Sequence, residues 1–256
     1  MILGAYSTFT YYNLIMIENI RFTYDNPNEE GILELNLDFN FTNKSKGSCD
    51  LLHAHLVVEL PNGVKLCCEE LLHELTLGNG ESEEDVFMGI GRGFHESIFE
   101  GFKMEELKVH LNVNAYGKEQ IGLGSWDCPE EAECNLIEEN FKFGDSAIIQ
   151  GICLRRATNG EDGNVEFDTH VVLNNLSDLY LPRVEFKAVL LDKKGEMIEE
   201  SEDTQSVQPN GFMEFFPSFW DIKPSKVKGA KLEFFASCYH NHLGKFTAES
   251  QATSGN

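Results

Sequence analysis

The feature that most constrains this chain is an alternating stretch that is written twice. From Gly31 to Asn43 the odd positions Leu33, Leu35, Leu37, Phe39 and Phe41 are apolar, and Glu34, Asn36, Asp38 and Asn40 between them are polar. Successive side chains of a strand point to opposite sides, so strict alternation marks a strand with one buried face. From Asn164 to Asn175 the apolar set is Val165, Phe167, Val171 and Leu173, each 132 positions after Leu33, Leu35, Phe39 and Phe41. Asn43 and Asn175 stand at the same offset.

The register continues beyond these strands. Leu52, Ala54, Leu56 and Val58 alternate up to a turn at Pro61-Asn62-Gly63, and 132 positions later Val184, Phe186, Ala188 and Leu190 lead to Lys193-Lys194-Gly195. Asn-Gly between two strand-like runs is a strong hairpin signal. Further on the offset is 123: Leu107, Val109, Leu111, Val113 and Ala115 match Ala230, Leu232, Phe234, Ala236 and Cys238. A Gly-containing turn and a short last strand are expected after each, near Gln120 to Leu123 and near Phe246 to Ala248.

About seven short strands per ~100 residues, with turns between them, is the arithmetic of an immunoglobulin-like or fibronectin-like sandwich. The expected fold is therefore all-β: two tandem antiparallel sandwich domains related by internal duplication, joined by a short helical or turn linker. The boundaries read from the sequence are an N-terminal extension at 1–16, an acidic domain at 17–127, a linker at 128–146, a second domain at 147–250 and a flexible tail at 251–256. Pro129 at a first helical position, with Glu130, Glu131 and Glu133 behind it, suggests the helix of the linker. Met1 and Met16 both offer a start.

Charge bounds the partners. Against 20 Lys+Arg the chain has 43 Asp+Glu, a net charge of -23. Residues 1–143 hold 9 basic and 26 acidic residues, and residues 144–256 hold 11 and 17, so the first part carries most of the excess. Nucleic acid and anionic membrane would both be repelled, whereas a basic protein would be attracted. No stretch reaches the ~18 apolar residues of a membrane span. The 7 Cys include no C-x-x-C pair, and residues 1–16 lack a secretory signal, so a reducing cytoplasm with free, mostly buried thiols is expected.

The candidate sites are few. Cys238, His240 and His242 have side chains suited to Zn²⁺ or Cu, but Cys238 lies in the inward register and the two histidines in an expected hairpin loop. His53 and His55 share a strand face, expected to be solvated, and Cys67-Cys68 point to opposite faces. Cys128 and Cys134 read as free thiols in the linker. The loop 159–164 lacks the Asp-x-Asp-x-Asp-Gly order of a calcium site, and the glycines of 89–93 follow acids that would repel phosphate. Ser125 is outside any nucleophile elbow. No cofactor is called for.

Two clusters suggest partner binding. Phe212, Phe215, Phe216, Phe219 and Trp220 crowd ten residues, more aromatic surface than one strand face buries. Glu81, Glu83, Glu84 and Asp85 form an acidic run. The function expected first is a non-catalytic, intracellular protein-binding or scaffold module. An acidic inhibitor or immunity-type protein for a basic partner comes second, and a metal-binding protein using Cys238, His240 and His242 third. In length, strand count and acidity the chain resembles the arrestin-like proteins of the cytoplasm, a likeness of architecture that implies no particular function.

Overall fold

The computed structural model describes residues 2–5, 14–24, 27–33, 35–89, 94–103, 106–129, 134–158 and 163–251. It is nearly all β. In chain order the strands are β1 (Ile2–Ala5), β2 (Ile15–Tyr24), β3 (Ile32–Leu33), β4 (Leu35–Asn43), β5 (Cys49–Glu59), β6 (Lys65–Leu77), β7 (Ser82–Gly89), β8 (Phe94–His95) and β9 (Lys108–Asp127). They continue with β10 (Cys134–Phe143), β11 (Ala147–Thr158), β12 (Val165–Asn175), β13 (Leu181–Leu191), β14 (Met197–Val207), β15 (Phe212–Phe215), β16 (Ser218–Ile222) and β17 (Lys231–Gln251). Among the described residues one helical turn, α1 (Pro224–Val227), and a 3₁₀ turn at Glu96–Phe99 complete the set. The strand pairs are antiparallel.

The chain divides into two compact units, residues 1–118 with 241–256, and residues 119–240. In unit 1 the sheets run β1-β2-β4-β7 and β6-β5-β9-β17. Side chains from both form one core, including Phe22, Phe39, Phe41, Leu56, Val86, Val113 and Phe246. In unit 2 the sheets run β10-β11-β12-β15, with β16 also on β12, and β14-β13-β17-β9. Their core includes Leu123, Phe143, Ile149, Phe167, Phe186, Phe219 and Phe234. The alternating residues read from the sequence are the buried ones wherever their side chains are described: Leu33, Leu37, Phe39 and Phe41, then Val165, Phe167, Val171 and Leu173.

The unit boundaries differ from those read in the sequence. β9 serves unit 1 up to Lys118 and unit 2 from Glu119, while β17 serves unit 2 up to His240 and unit 1 from Asn241. Leu123 therefore sits in the core of unit 2 and Phe246 in that of unit 1. The turn expected after Tyr116 is absent, because Gly117 answers a different need. A Cβ there would lie 2.9 Å from the Ser48 carbonyl oxygen, so the residue permits close backbone approach inside a strand. His240 to Gly244, expected as a hairpin loop, are likewise strand residues of β17.

Of the segment expected as a linker, residues 130–133, where the helix was expected, lie outside the described residues, and most of the remainder is strand. Its residues Cys134–Phe143 form β10, paired with β11 from Cys134↔Arg155 to Phe143↔Ala147. Phe143 is fully buried, and the ladder shifts between Ile137 and Asn140. At the other end of the chain, Ile2–Ala5 of the expected extension pair with β2, and Ile15 is buried.

Strand ends are fixed by buried asparagines. Asn43 closes β4 and is 0% exposed. Its Nδ2 donates to the carbonyls of Gly47 and Leu77, each at 2.8 Å, and its Oδ1 accepts from the Ser45 amide at 2.9 Å. Asn175 closes β12 and donates to the carbonyls of Leu179 (2.7 Å) and Gln208 (3.0 Å) while accepting from the Ser177 amide (3.0 Å). The following amides match as well, Lys44 N–H donating to Leu14 and Leu176 N–H to Ser146. Positive φ recurs at the same spacing: Asn19 (55°) lies where the β2–β4 ladder shifts and Gly151 (83°) where the β11–β12 ladder shifts.

Replacing Asn43 or Asn175 by Ala removes the buried amide and its hydrogen bonds to two part-buried carbonyls and one backbone amide, each worth roughly 0.5–1.5 kcal/mol. Each variant is expected to lose about 2–4 kcal/mol of unfolding free energy in urea titration. Asn174→Ala, whose amide bonds only the exposed Gln150 side chain, should stay within about 0.5 kcal/mol of the parent. Equal, small losses for all three would refute the clamp.

Candidate functional site

The strongest site begins with a register. β15 and β16 both pair with β12, from Val171↔Phe215 to Asp168↔Ser218 and Phe167↔Phe219, as one edge strand interrupted at Phe216-Pro217. Pro217 has no N–H to give the ladder, which confines it to an edge. The interruption does not change the alternation. Phe215, Pro217 and Phe219 face inward and are buried, while Phe212, Glu214, Phe216 and Trp220 face outward. Period two thus divides the aromatic cluster: Phe215 and Phe219 belong to the core, and Phe212, Phe216 and Trp220 are 65%, 55% and 58% exposed. Along a strand these three stand about 13 Å apart, one to the next.

The outer row is held in place. The Phe216 ring stacks on His170, centroids 4.9 Å apart and planes at 1°. His170 Nε2 lies 3.3 Å from Glu214 Oε1. The outward backbone amides are capped by side chains of β14: Phe216 N–H donates to Asp203 Oδ2 (2.9 Å) and Ser218 N–H to Ser201 Oγ (3.0 Å). Such capping blunts an edge that would otherwise add strands without selection. β14 also carries Glu199, Glu200 and Glu202, so an aromatic row lies beside an acidic strand.

The acidic run of β7 is largely engaged within unit 1. Glu81 Oε2 accepts from the Gly78 amide at 2.6 Å, Glu83 Oε1 lies 2.8 Å from His73 Nε2, and Asp85 pairs with Arg21. Glu84 is exposed. Three of the four carboxylates therefore answer to groups of their own unit.

Cys238, His240 and His242 do not gather. Cys238 is fully buried, and burial pushes its thiol up to about 12. His240 Nε2 meets Glu119 Oε2 at 2.5 Å and its Nδ1 lies 3.3 Å from Ser146 Oγ. His242 belongs to unit 1, with Nε2 3.2 Å from Asn114 Oδ1 and its ring against Tyr116. Among the described residues no group of three His, Cys, Asp or Glu side chains is placed to hold a metal ion. The His240–Glu119 pair joins residues 121 positions apart, and no local pattern in the sequence announces it.

Burial also pushes the free thiols of Cys49 and Cys128 up to about 12, so neither is a ready thiolate. Cys153 is disulfide-bonded, unlike the thiols expected throughout. The side chains of Cys67, Cys68 and Cys134, and residues 90–93 and 159–162 of the two polar loops, lie outside the described ones. His53, expected on a solvated face, is only 6% exposed. It stands on β5 between β6 and β9, opposite Leu72 and Asn114, where both neighbouring strands shield it.

No family model matches the chain, and no curated protein matches it in sequence. Among solved structures it is similar to a protein titled pT26-6p, 7% identical over 91% of this chain and 64% of that one, with a TM-score of 0.26. A second is red sea bream transglutaminase, 9% identical over 92% of this chain and 31% of that one, with a TM-score of 0.24. The chain spans less than two thirds of the length of either, and neither likeness bears on its function. No helix among the described residues is long and apolar enough to cross a membrane.

His53 gives the fold a pH dependence of known sign. Burial pushes its imidazole below the ordinary value, and His55 adds to this while Glu70, 3.7 Å away, opposes it. The unfolded chain therefore binds this proton more readily than the folded one. The resulting stability is present above the ordinary histidine value of about 6.5 and is lost as pH falls below it. Urea unfolding at about pH 7.5 and 5.5 should show a smaller loss on acidification for His53→Gln than for the parent. Identical losses would show that His53 is solvated after all.

Proposed function

We propose that this chain is a non-catalytic protein-binding module built from two copies of an immunoglobulin-like sandwich, and that the outer row of the β15–β16 edge is its docking surface. Duplication is supported by the shared strand orders β6-β5-β9-β17 and β14-β13-β17-β9. The asparagine clamps at 43 and 175, and the bulges at Asn19 and Gly151, repeat at the spacing of the alternating residues.

One observation carries the docking surface: Phe212, Phe216 and Trp220 leave more than half of each side chain in water on a strand whose other face is fully packed. Large exposed aromatics in one row are costly to keep unless something covers them. The adjoining carboxylates of Glu214, and of Glu199 on the face of β14 that carries Ser201 and Asp203, decide the partner's chemistry. The row suits a protein segment with apolar anchors beside Lys or Arg, and an indole face such as Trp220 accepts a cation as well. In unit 1 the edge strand β7 leaves only Phe87 exposed among the described large apolar residues of that strand, so the surface is particular to unit 2.

The test uses the full chain as bait in an extract at physiological salt. The parent is expected to recover a stoichiometric protein partner, and the triple variant Phe212→Ser, Phe216→Ser, Trp220→Ser to lose it while unfolding within about 0.5 kcal/mol of the parent. Binding should also weaken as salt rises. Recovery of the same partner by the triple variant, or of no stoichiometric partner by the parent, would defeat the reading.

A further inference from the structure

Unit 2 has a second surface, of opposite charge. The β13–β14 turn and the segment leading from β16 into β17 border a hollow of about 750 Å³ lined by Asp192, Lys193, Glu196, Ser225, Lys226 and Lys228, among others. A second hollow of about 670 Å³ shares Lys228 and Gly229 with it and includes Arg156 and Asp127. Lys194, Lys223 and Lys231 adjoin these residues in the chain, giving six lysines in or next to the lining. All six are exposed, and among the described residues none is in an ion pair.

The backbone that presents them is well fixed. Asp192 and Glu196 close the turn, with Asp192 N–H donating to Glu196 O at 2.8 Å. The Asp192 carboxylate is turned into it, Oδ1 accepting from the amides of Lys194 (2.7 Å) and Glu196 (2.9 Å). On the other side Val227 is buried, and the Ala230 amide and carbonyl are both bonded, to Val227 O and from Cys128 N–H. Gly229, at φ +70°, would bring a Cβ 3.6 Å from that of Lys193, which sets the two segments side by side.

The first half of the chain supplies an internal control. At the offsets of 132 and 123 the six lysine positions correspond to Pro61, Asn62, Glu100, Lys103, Glu105 and Lys108. Two lysines and two glutamates there leave no net charge. The cationic character is therefore no property of the sandwich as such, and it occurs in a chain whose net charge is -23.

We propose that this hollow binds a compact, multiply charged phosphate-bearing small molecule. Its volume falls in the range of small-ligand sites, roughly 300–1,000 Å³. Lysine ammonium groups are point-charge phosphate binders, and the Ser225 hydroxyl adds a donor. Size selects the ligand. An extended polyanion such as nucleic acid or a membrane surface would also meet the acidic remainder of the molecule. A compact anion in the hollow meets the three lysines of the lining against two carboxylates, and that of Asp192 is turned into its own turn.

Tripolyphosphate is the probe, titrated calorimetrically into the full chain at low salt, beside phosphatidylcholine vesicles doped with phosphatidic acid. Saturable binding at one site is expected, weakened at least about tenfold in the variant Lys226→Glu, Lys228→Glu and unchanged in Lys142→Glu, which reverses an exposed charge on β10. The variants alter exposed side chains, and an unchanged thermal midpoint verifies their fold. No saturable binding, binding indifferent to the double reversal, or binding to the vesicles alone would overturn the proposal.

Discussion

The structure depends on one constraint: each long strand has a single apolar face, and that face must leave water. A buried Phe or Leu side chain contributes about 1.5–3 kcal/mol over an exposed one, and the two cores gather many such residues. Most strands meet the constraint within their own half of the sequence. The last strands do not. Leu123 shares a core with Phe143 and Phe234, and Phe246 one with Phe39 and Phe41, so each core is completed by residues from beyond its own sequence repeat. Two cores built in this way are joint products of the whole chain.

Hydrogen bonding supplies the second requirement. Chain reversals bring backbone carbonyls into the interior, where an unsatisfied one is expensive. Asn43 and Asn175 meet this need with one amide apiece, each donating twice and accepting at least once. A shorter or apolar side chain could not span both neighbours. Where the edge of unit 2 leaves amides facing outward, Asp203 and Ser201 take them instead of another strand. The exposed aromatic row therefore belongs to a closed edge, which favours recognition by side chains over unselective strand addition.

Much of this was legible in the sequence, because period-two alternation needs only local information. Leu52, Ala54, Leu56 and Val58, and their partners from Val184 to Leu190, are buried as their spacing requires. What escaped depends on distant contacts. Gly117 looks like a turn residue until Ser48 is seen 2.9 Å from its missing Cβ. In β10 the exposed Leu136 and the ladder shift after Ile137 obscure the alternation that ends at Phe143. The aromatic cluster was visible as a surplus, but its division waited on Pro217 keeping the parity of β15 into β16. The lysine hollow joins two segments some thirty residues apart, and neither is conspicuous alone.

The most direct test compares two fragments that differ chiefly in which last strand they contain. Residues 119–240 match unit 2 and include Leu123 with the first half of β17. Residues 128–256 comprise the linker, second domain and tail read from the sequence, lack Leu123 and keep the end of β17 that carries Phe246 away from its core. Measured by urea unfolding with near-ultraviolet circular dichroism, the 119–240 fragment should show a cooperative transition and the 128–256 fragment none. The reverse result, or equal cooperativity in both, would contradict the exchange of last strands on which the two cores rest.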